Sequence, residues 1–283
     1  MTLLVQLTDT HIVEPDTLLY GKVDTAKHLR ESVEEVNAMS PQPDLVMITG
    51  DLVENPSEST YANFAAIIKP LKAPAYLLPG NHDNPQLMKA LFGGTHLFPV
   101  QHQTSQYAIE DFPVRILALN SYFEGSELPE FGPRRLQWLE ETLAESDRPT
   151  LLAIHHPPMK TGVGFVDMVG EQWYAGISKI VEQNPQVQLI IAGHGHSDLI
   201  GRMGNVPVYM AGSTAHQLIA GRVHDRAPSF DPTRAPLVMH HWLGDSFVSG
   251  SNPWPQWVDN RRIDAESGVE WSELKDRMRG TMR

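Results

Sequence analysis

A chain of 283 residues with 41% hydrophobic side chains is long enough for one large α/β domain, alone or with an appendage, and too apolar for a disordered segment. Its 34 acidic against 22 basic side chains, a formal net charge of −12, count against binding to nucleic acid polymers or anionic membranes, which draw affinity from Lys and Arg. No cysteine is present, which excludes disulfides, thiolate metal sites and a Cys nucleophile, so any metal is held by His, carboxylate or amide oxygen.

Apolar strand-like runs alternate with helical patterns. The run 3–7 precedes a helix over 24–38, with Leu29, Val33 and Val36 on one face and Asp24 as its N-cap. The run 45–48 precedes a helix over 59–69. The run 75–78 precedes a helix over 85–92, with Pro85 in the first turn and Gly93 at the stop. A run over 115–119 leads to a helix over 133–145, opening on Pro133 and carrying Leu136, Leu139 and Leu143. The run 151–154 leads to a helix over 171–184 that stops at Asn184-Pro185, and the runs 187–192 and 206–210 follow. Most runs are continuous rather than alternating, as strands buried on both faces require. The alternation predicts an α/β layered domain over 1–220.

A C-terminal extension is expected over 221–283. Residues 224–236 read as a loop, and 237–249 as a hairpin around Gly244-Asp245. The tail carries Trp254, Trp257 and Trp271, an aromatic surface suited to packing on its own domain or docking on a second copy, so a homo-oligomer is expected. The N-terminus lacks a signal-peptide pattern, and no apolar stretch approaches the ~20 residues of a membrane span, so the expected address is the cytoplasm, away from membranes.

The chemistry sits where the runs end. The first ends in Asp9-Thr10-His11, the second in Gly50-Asp51, the third in Gly80-Asn81-His82-Asp83. Later runs end in His155-His156-Pro157-Pro158 and in Gly193-His194-Gly195-His196. A lone His beside a strand is usually an ordinary histidine, and a lone Gly-Asp is usually a turn. Five strands delivering metal-competent groups at one edge of a sheet are not explained that way, since that edge is where open α/β sheets bind ligands.

D-x-H, G-D, G-N-H-D, H-H-P-P and G-H-x-H, in this order from Asp9 to His196, resemble the calcineurin-like metallophosphoesterases. The Leu19-Tyr20-Gly21 and Ser213-Thr214-Ala215-His216-Gln217 segments resemble one branch, the bacterial class III cyclic nucleotide phosphodiesterases and the glycerophosphodiesterases. The resemblance implies a four-layer α/β/β/α sandwich of two mixed sheets, with two divalent metal ions (Fe, Mn, Zn or Co) at one edge. It implies that Asp9, His11 and His196 hold the first metal, Asp51 bridges both, and Asn81, His155 and His194 hold the second. His156 supports the site, while Asn81, His82, His216 and Tyr20 meet substrate. The implied reaction is hydrolysis of a small phosphodiester, a 3′,5′-cyclic nucleotide or a glycerophosphodiester, by a metal-bridging hydroxide. The alternatives are a nuclease or phosphoprotein phosphatase on the same scaffold, or a non-catalytic metal-binding scaffold.

The residue chemistry agrees with those roles. One carboxylate shared by two cations holds them roughly 3.5–4 Å apart and lets a bridging water ionise near neutral pH. An imidazole such as His82 can donate to the phosphoryl group or to the leaving oxygen. Asp83 either orients that ring or caps the helix at 85. The Gly-rich segment 157–176 is placed to shape the pocket, with Met159, Phe165, Met168 and Trp173 lining it or packing it. His28, His96, His102, His224, His240 and His241 read as ordinary surface or loop residues.

Overall fold

The computed structural model describes residues 1–100, 104–219, 229–251 and 268–279. The chain divides into two units, Met1–Asn252 and Pro253–Arg283. In the first, one sheet is built on three parallel strands, β1 (Thr2–Leu7), β2 (Leu45–Thr49) and β3 (Ala75–Leu78). Nearly every position in them is buried, which accounts for their unbroken apolar runs. The second sheet holds β4 (Tyr107–Ile109), β5 (Arg115–Ala118), β6 (Thr150–Ala153), β7 (Val187–Ala192), β8 (Leu199–Met203) and β9 (Val206–Met210), in the order β4-β5-β6-β7-β9-β8. Its four central strands run parallel and its two edge strands antiparallel. A small ribbon pairs β10 (Gln217–Ile219) with β11 (Ser229–Asp231).

The helices form as their caps and apolar faces dictate. α1 (Thr25–Ala38) opens where the Asp24 side chain accepts from Lys27 N at 2.8 Å, and it buries Leu29, Val33 and Val36. α2 (Glu58–Ile68) opens with a Ser57–Thr60 capping box and buries Tyr61, Phe64, Ile67 and Ile68. α3 (Pro85–Phe92) is capped by Asn84, whose side chain accepts from Gln86 N and Leu87 N. α4 (Pro133–Ala144) and α6 (Ala175–Gln183) press Leu139, Leu143, Ile177, Ile180 and Val181 onto Leu117, Leu152, Ile190 and Val208 of the second sheet. α5 (Gly164–Asp167) is a single turn before α6. The result is the expected sandwich of two mixed sheets with helices. No helix among the described residues is long and apolar enough to cross a membrane.

The chain divides 32 residues later than the composition suggested. β12 (Val238–Trp242) and β13 (Phe247–Ser251) form the expected hairpin, but β12 also pairs antiparallel with β1, from Thr2↔Trp242 to Gln6↔Val238. They complete the first sheet in the order β13-β12-β1-β2-β3, so the boundary falls at 252/253 rather than 220/221. The expected 224–236 loop contains β11, while residues 220–228 and 252–267, with Trp254, Trp257 and His224, lie outside the described residues, as does His102. In the second unit α7 (Trp271–Met278) has no buried residue.

His240 corrects another expectation. It is not on the surface but fully buried on β12, with Nε2 2.9 Å from Gln6 Oε1 and Nδ1 2.8 Å from Ser249 Oγ. The Gln6 amide in turn donates to Thr49 Oγ1 at 2.8 Å and to Ala192 O at 2.9 Å, joining the two sheets. Burial pulls the His240 pKa down to about 3. The unfolded chain therefore takes up a proton below about pH 6.5 that the folded chain refuses, and stability falls as pH falls. At pH 5 this one group costs about 2 kcal/mol relative to pH 7.5. Urea unfolding at both pH values should show a smaller acid loss in His240→Asn than in the parent, and an equal loss would rule the assignment out.

Candidate metal centre

Beyond β1 the backbone runs beside the turn after β2. Asp9 N donates to Gly50 O at 3.0 Å, His11 N to Asp51 O at 3.0 Å and Ile12 N to Leu52 O at 3.1 Å. The turn after β7 closes on the same place, with His194 N donating to both Asp9 carboxylate oxygens at 3.0 and 3.1 Å. Asp9, His11, Asp51, His194 and His196 all have left-handed backbones, φ 50°, 42°, 49°, 70° and 46°. Such a conformation costs a non-glycine residue roughly 1–3 kcal/mol, and it persists at sites where surrounding structure enforces it. The motif glycines have a steric reason. A Cβ on Gly193 would stand 2.0 Å from Thr8 Oγ1, and one on Gly80 2.1 Å from Asp51 Oδ1.

The side chains converge in two halves that share Asp51. In the first, His11 Nε2 and His196 Nε2 are 3.1 Å apart, and His196 Nε2 is 3.3 Å from Asp9 Oδ1. In the second, Asn81 Oδ1 lies 3.0 Å from both His155 Nε2 and His194 Nδ1. Asp51 Oδ2 stands between them, 3.6 Å from His11 Nε2 and 3.3 Å from His155 Nε2. All seven metal-ligand candidates from the sequence are therefore brought together.

The hydrogen bonds behind the rings show what the donor set is suited to hold. His155 Nδ1 donates to Thr49 O at 2.8 Å, His196 Nδ1 to His216 O at 2.9 Å, and His11 Nδ1 to the Glu54 carboxylate at 2.7 Å. Each bond fixes the tautomer that leaves the Nε2 lone pair facing inward. Those lone pairs meet the Asp51 carboxylate and the Asn81 amide oxygen, acceptor against acceptor. The contacts are favourable only when something positive is shared, a proton or a metal cation. Burial alone would lower the His155 pKa, yet the Asp51 and Asp9 carboxylates lift it to about 9. Burial opposes ionisation of Asp51 as well, but His155, His11 and His82 hold its pKa well below the ordinary value. Burial and the neighbouring His155 keep His194 neutral, near 3. Nitrogen and oxygen donors of this kind fit divalent first-row cations.

Several contributors were not visible in the motifs. Glu54 holds His11 Nδ1 and lies 3.6 Å from His82 Nδ1, whose ring also donates to Glu54 O at 3.0 Å. Glu127, in the loop before α4, accepts from the Asn81 amide nitrogen, which fixes the amide oxygen toward His155 and His194. Its carboxylate also stands 3.7 Å from His82 Nε2. Neither Glu54 nor Glu127 was singled out from sequence, because their roles depend on contacts with residues far away in the chain. Asp83 does neither job foreseen for it. Glu54 faces the His82 ring, Asn84 caps α3, and Asp83 instead accepts from Leu52 N at 3.1 Å and Gly80 N at 2.9 Å. Burial, and then the Asp51 charge, raise its pKa to about 7.

His156 points its Nδ1 at Ser121 Oγ, 2.8 Å away, while its buried Nε2 has no close hydrogen-bond partner among the described residues. It groups with His155 and His194, with ligand atoms within 4.8 Å of one another. Beside the first half, His216, Tyr20 and Phe230 form a ring cluster with centroids 5.5–5.7 Å apart, and His216 is 4.6 Å from His196. Tyr20 is half exposed at φ 54°, and Phe230 was not singled out by sequence. Of the 157–176 segment, Met159 is buried core, Met168 is exposed, and Trp173 reaches His156 with centroids 6.1 Å apart.

Residues 2–198 match the sequence pattern of the calcineurin-like phosphoesterase family. The chain is 34% identical over 242 residues to a probable glycerophosphodiester phosphodiesterase of Arcobacter nitrofigilis, covering 85% of this chain and 88% of that one. It is 30% identical over 198 residues to the 3′,5′-cyclic adenosine monophosphate phosphodiesterase of Escherichia coli strain K12, covering 69% and 70%. Its fold is similar to that of a dimetal phosphatase from Danio rerio, with TM-score 0.63 and 13% identity over 88% of this chain and 95% of the other. With the motifs in register and two thirds of its length matched, the chain belongs to the calcineurin-like phosphoesterase family.

Proposed function

We propose that the protein is a metal-dependent phosphodiesterase acting on small phosphodiesters, a 3′,5′-cyclic nucleotide or a glycerophosphodiester. The observation that carries this reading is the convergence of five strand ends on two donor sets that share Asp51. Asp9, His11, Asp51 and His196 form one set, and Asp51, Asn81, His155 and His194 the other. The donor chemistry suits Fe, Mn, Zn or Co. When bound, such ions neutralise phosphoryl charge and activate water.

The chain's own residues supply the rest. Left-handed backbones and ring hydrogen bonds hold the donors in place before substrate arrives. His82, partly buried, holds its Nε2 3.7 Å from the Glu127 carboxylate, and as a general acid it would donate a proton to the leaving oxygen. Tyr20, Phe230 and His216 wall one side and contact the organic part of the ester. The acidic balance of the chain disfavours a polymeric nucleic acid substrate. The names of the relatives support both substrate classes. The second unit, with the half-exposed Trp271, is the segment that would join copies into a homo-oligomer.

The test is hydrolysis of bis(p-nitrophenyl) phosphate, 3′,5′-cAMP and glycerophosphoethanolamine by metal-reconstituted protein beside a chelated control. Chelator-sensitive turnover of diesters is expected, and the kcat/KM ratios select the substrate. No turnover with any divalent metal would favour a non-catalytic scaffold.

A further inference from the structure

The β2–β3 ladder ends at Thr49↔Leu78, just before the two turns that carry Asp51 and Asn81. From there no strand pairing holds one turn against the other. Their registry nevertheless matters, because the two turns are packed into each other. His82 N donates to Asp51 Oδ1 at 2.9 Å, and the space where Gly80 would carry a Cβ is filled by that same oxygen. Any slip of one turn past the other is passed directly to the Asp51 carboxylate.

One buried group spans the gap. Asp83 Oδ2 accepts from Leu52 N, the residue after Asp51, and from Gly80 N, the residue before Asn81. Its other oxygen, Oδ1, accepts from the Tyr61 hydroxyl at 3.0 Å. Tyr61 is fully buried on α2, outside every motif, with its ring edge-on to Phe92 at 5.8 Å. Its hydroxyl oxygen in turn accepts from Asn84 N at 2.9 Å, so the hydroxyl is tied at both ends. A carboxylate rotates freely about its Cβ–Cγ bond unless both oxygens are held. Two of its donors come from the turns being aligned, and the third comes from a helix independent of them.

We propose that Tyr61 is a positioning residue of the metal centre, which fixes the Asp83 carboxylate and through it the registry of Asp51 with Asn81. This rests on the two-metal reading above. In the first set only Asp51 sits on a clamped turn; Asp9 and His11 touch that turn through Asp9 N–Gly50 O and His11 N–Asp51 O, and His196 follows β7. The set containing Asn81 draws two of its four donors, Asp51 and Asn81, from the clamped turns, so it is the more sensitive one. Removing a hydrogen-bond partner behind a ligand typically weakens metal binding about 10–100-fold.

The experiment is calorimetric and visible-absorption titration of the metal-free protein with Co2+, in the parent, Tyr61→Phe, Asp83→Asn and the double variant. Tyr61→Phe keeps the ring and its packing and removes only the hydroxyl. One of two Co2+ events should lose about tenfold or more in affinity, with the other changed less than about threefold. The double variant should bind no worse than Asp83→Asn alone, because both changes break one chain of contacts. A Tyr61→Phe protein that melts earlier but titrates like the parent would show Tyr61 to be a core residue only and overturn the proposal, as would additive losses in the double variant. If the parent itself binds a single Co2+, the two-metal reading falls, and the Tyr61 assignment stands or falls on whether that one affinity drops.

Discussion

Asp51→Asn should lower kcat/KM by roughly a thousandfold or more, a larger loss than any other single ligand replacement. Asp51 faces both donor sets, 3.6 Å from His11 Nε2 and 3.3 Å from His155 Nε2. Asparagine keeps the shape and one acceptor oxygen but removes the charge. Two cations near each other repel, and an anionic oxygen between them is what offsets that repulsion. The substitution also places a donor NH2 either toward the inward lone pairs or against His82 N, which now donates to Asp51 Oδ1. Bound metal should therefore fall together with turnover, measured by elemental analysis of dialysed protein beside the kinetics. Two retained equivalents with near-normal kcat would remove Asp51 from the bridging position.

His82→Ala should act differently. Its ring nitrogens face Glu54 and Glu127 rather than Asn81, Asp51 or Asp9. The metal content should stay intact while kcat falls by about 10²–10³, the usual worth of a positioned general acid. The loss should depend on the leaving group. A p-nitrophenolate departs without a proton and should suffer little, whereas an alkoxide from glycerol or ribose should suffer fully. Equal losses with both substrates, or loss of metal, would assign His82 to metal binding instead of proton donation. Of its immediate neighbours, Glu54 holds Nδ1 and so sets which nitrogen is free for substrate.

Much of the donor set was legible because its information is local. An apolar run marks a buried strand, and the polar residues that interrupt it mark the strand's end, so Asp9, Asp51, Asn81, His155 and His194 could be placed on one edge from sequence spacing. Helix starts are local too, since caps act on backbone groups two or three residues away, yet only Asp24 was read as one; Ser57 was not singled out, and Asp83 was considered where Asn84 is the cap. The motif glycines were legible only as punctuation. Their reason is tertiary, since Gly193 makes room for Thr8 and Asp9, nearly two hundred residues away in the chain.

By itself, then, the sequence determined the alternation of strands and helices, the seven donor candidates and the absence of thiolate chemistry. Tertiary structure alone decided who touches whom. Leu4 pairs with His240 across the whole length of the domain, which moved the C-terminal hairpin into the first sheet and buried a histidine that composition had placed outside. Glu54 and Glu127 became partners of His11 and Asn81, and Asp83 became a clamp anchored by Tyr61, through contacts with residues 22 to 46 positions away. Hydrophobic period reports whether a residue is buried, and a motif reports what a residue can bind. Neither reports the partner of a buried polar group, because that partner is chosen by the requirement that every buried donor and acceptor be satisfied once the layers have packed.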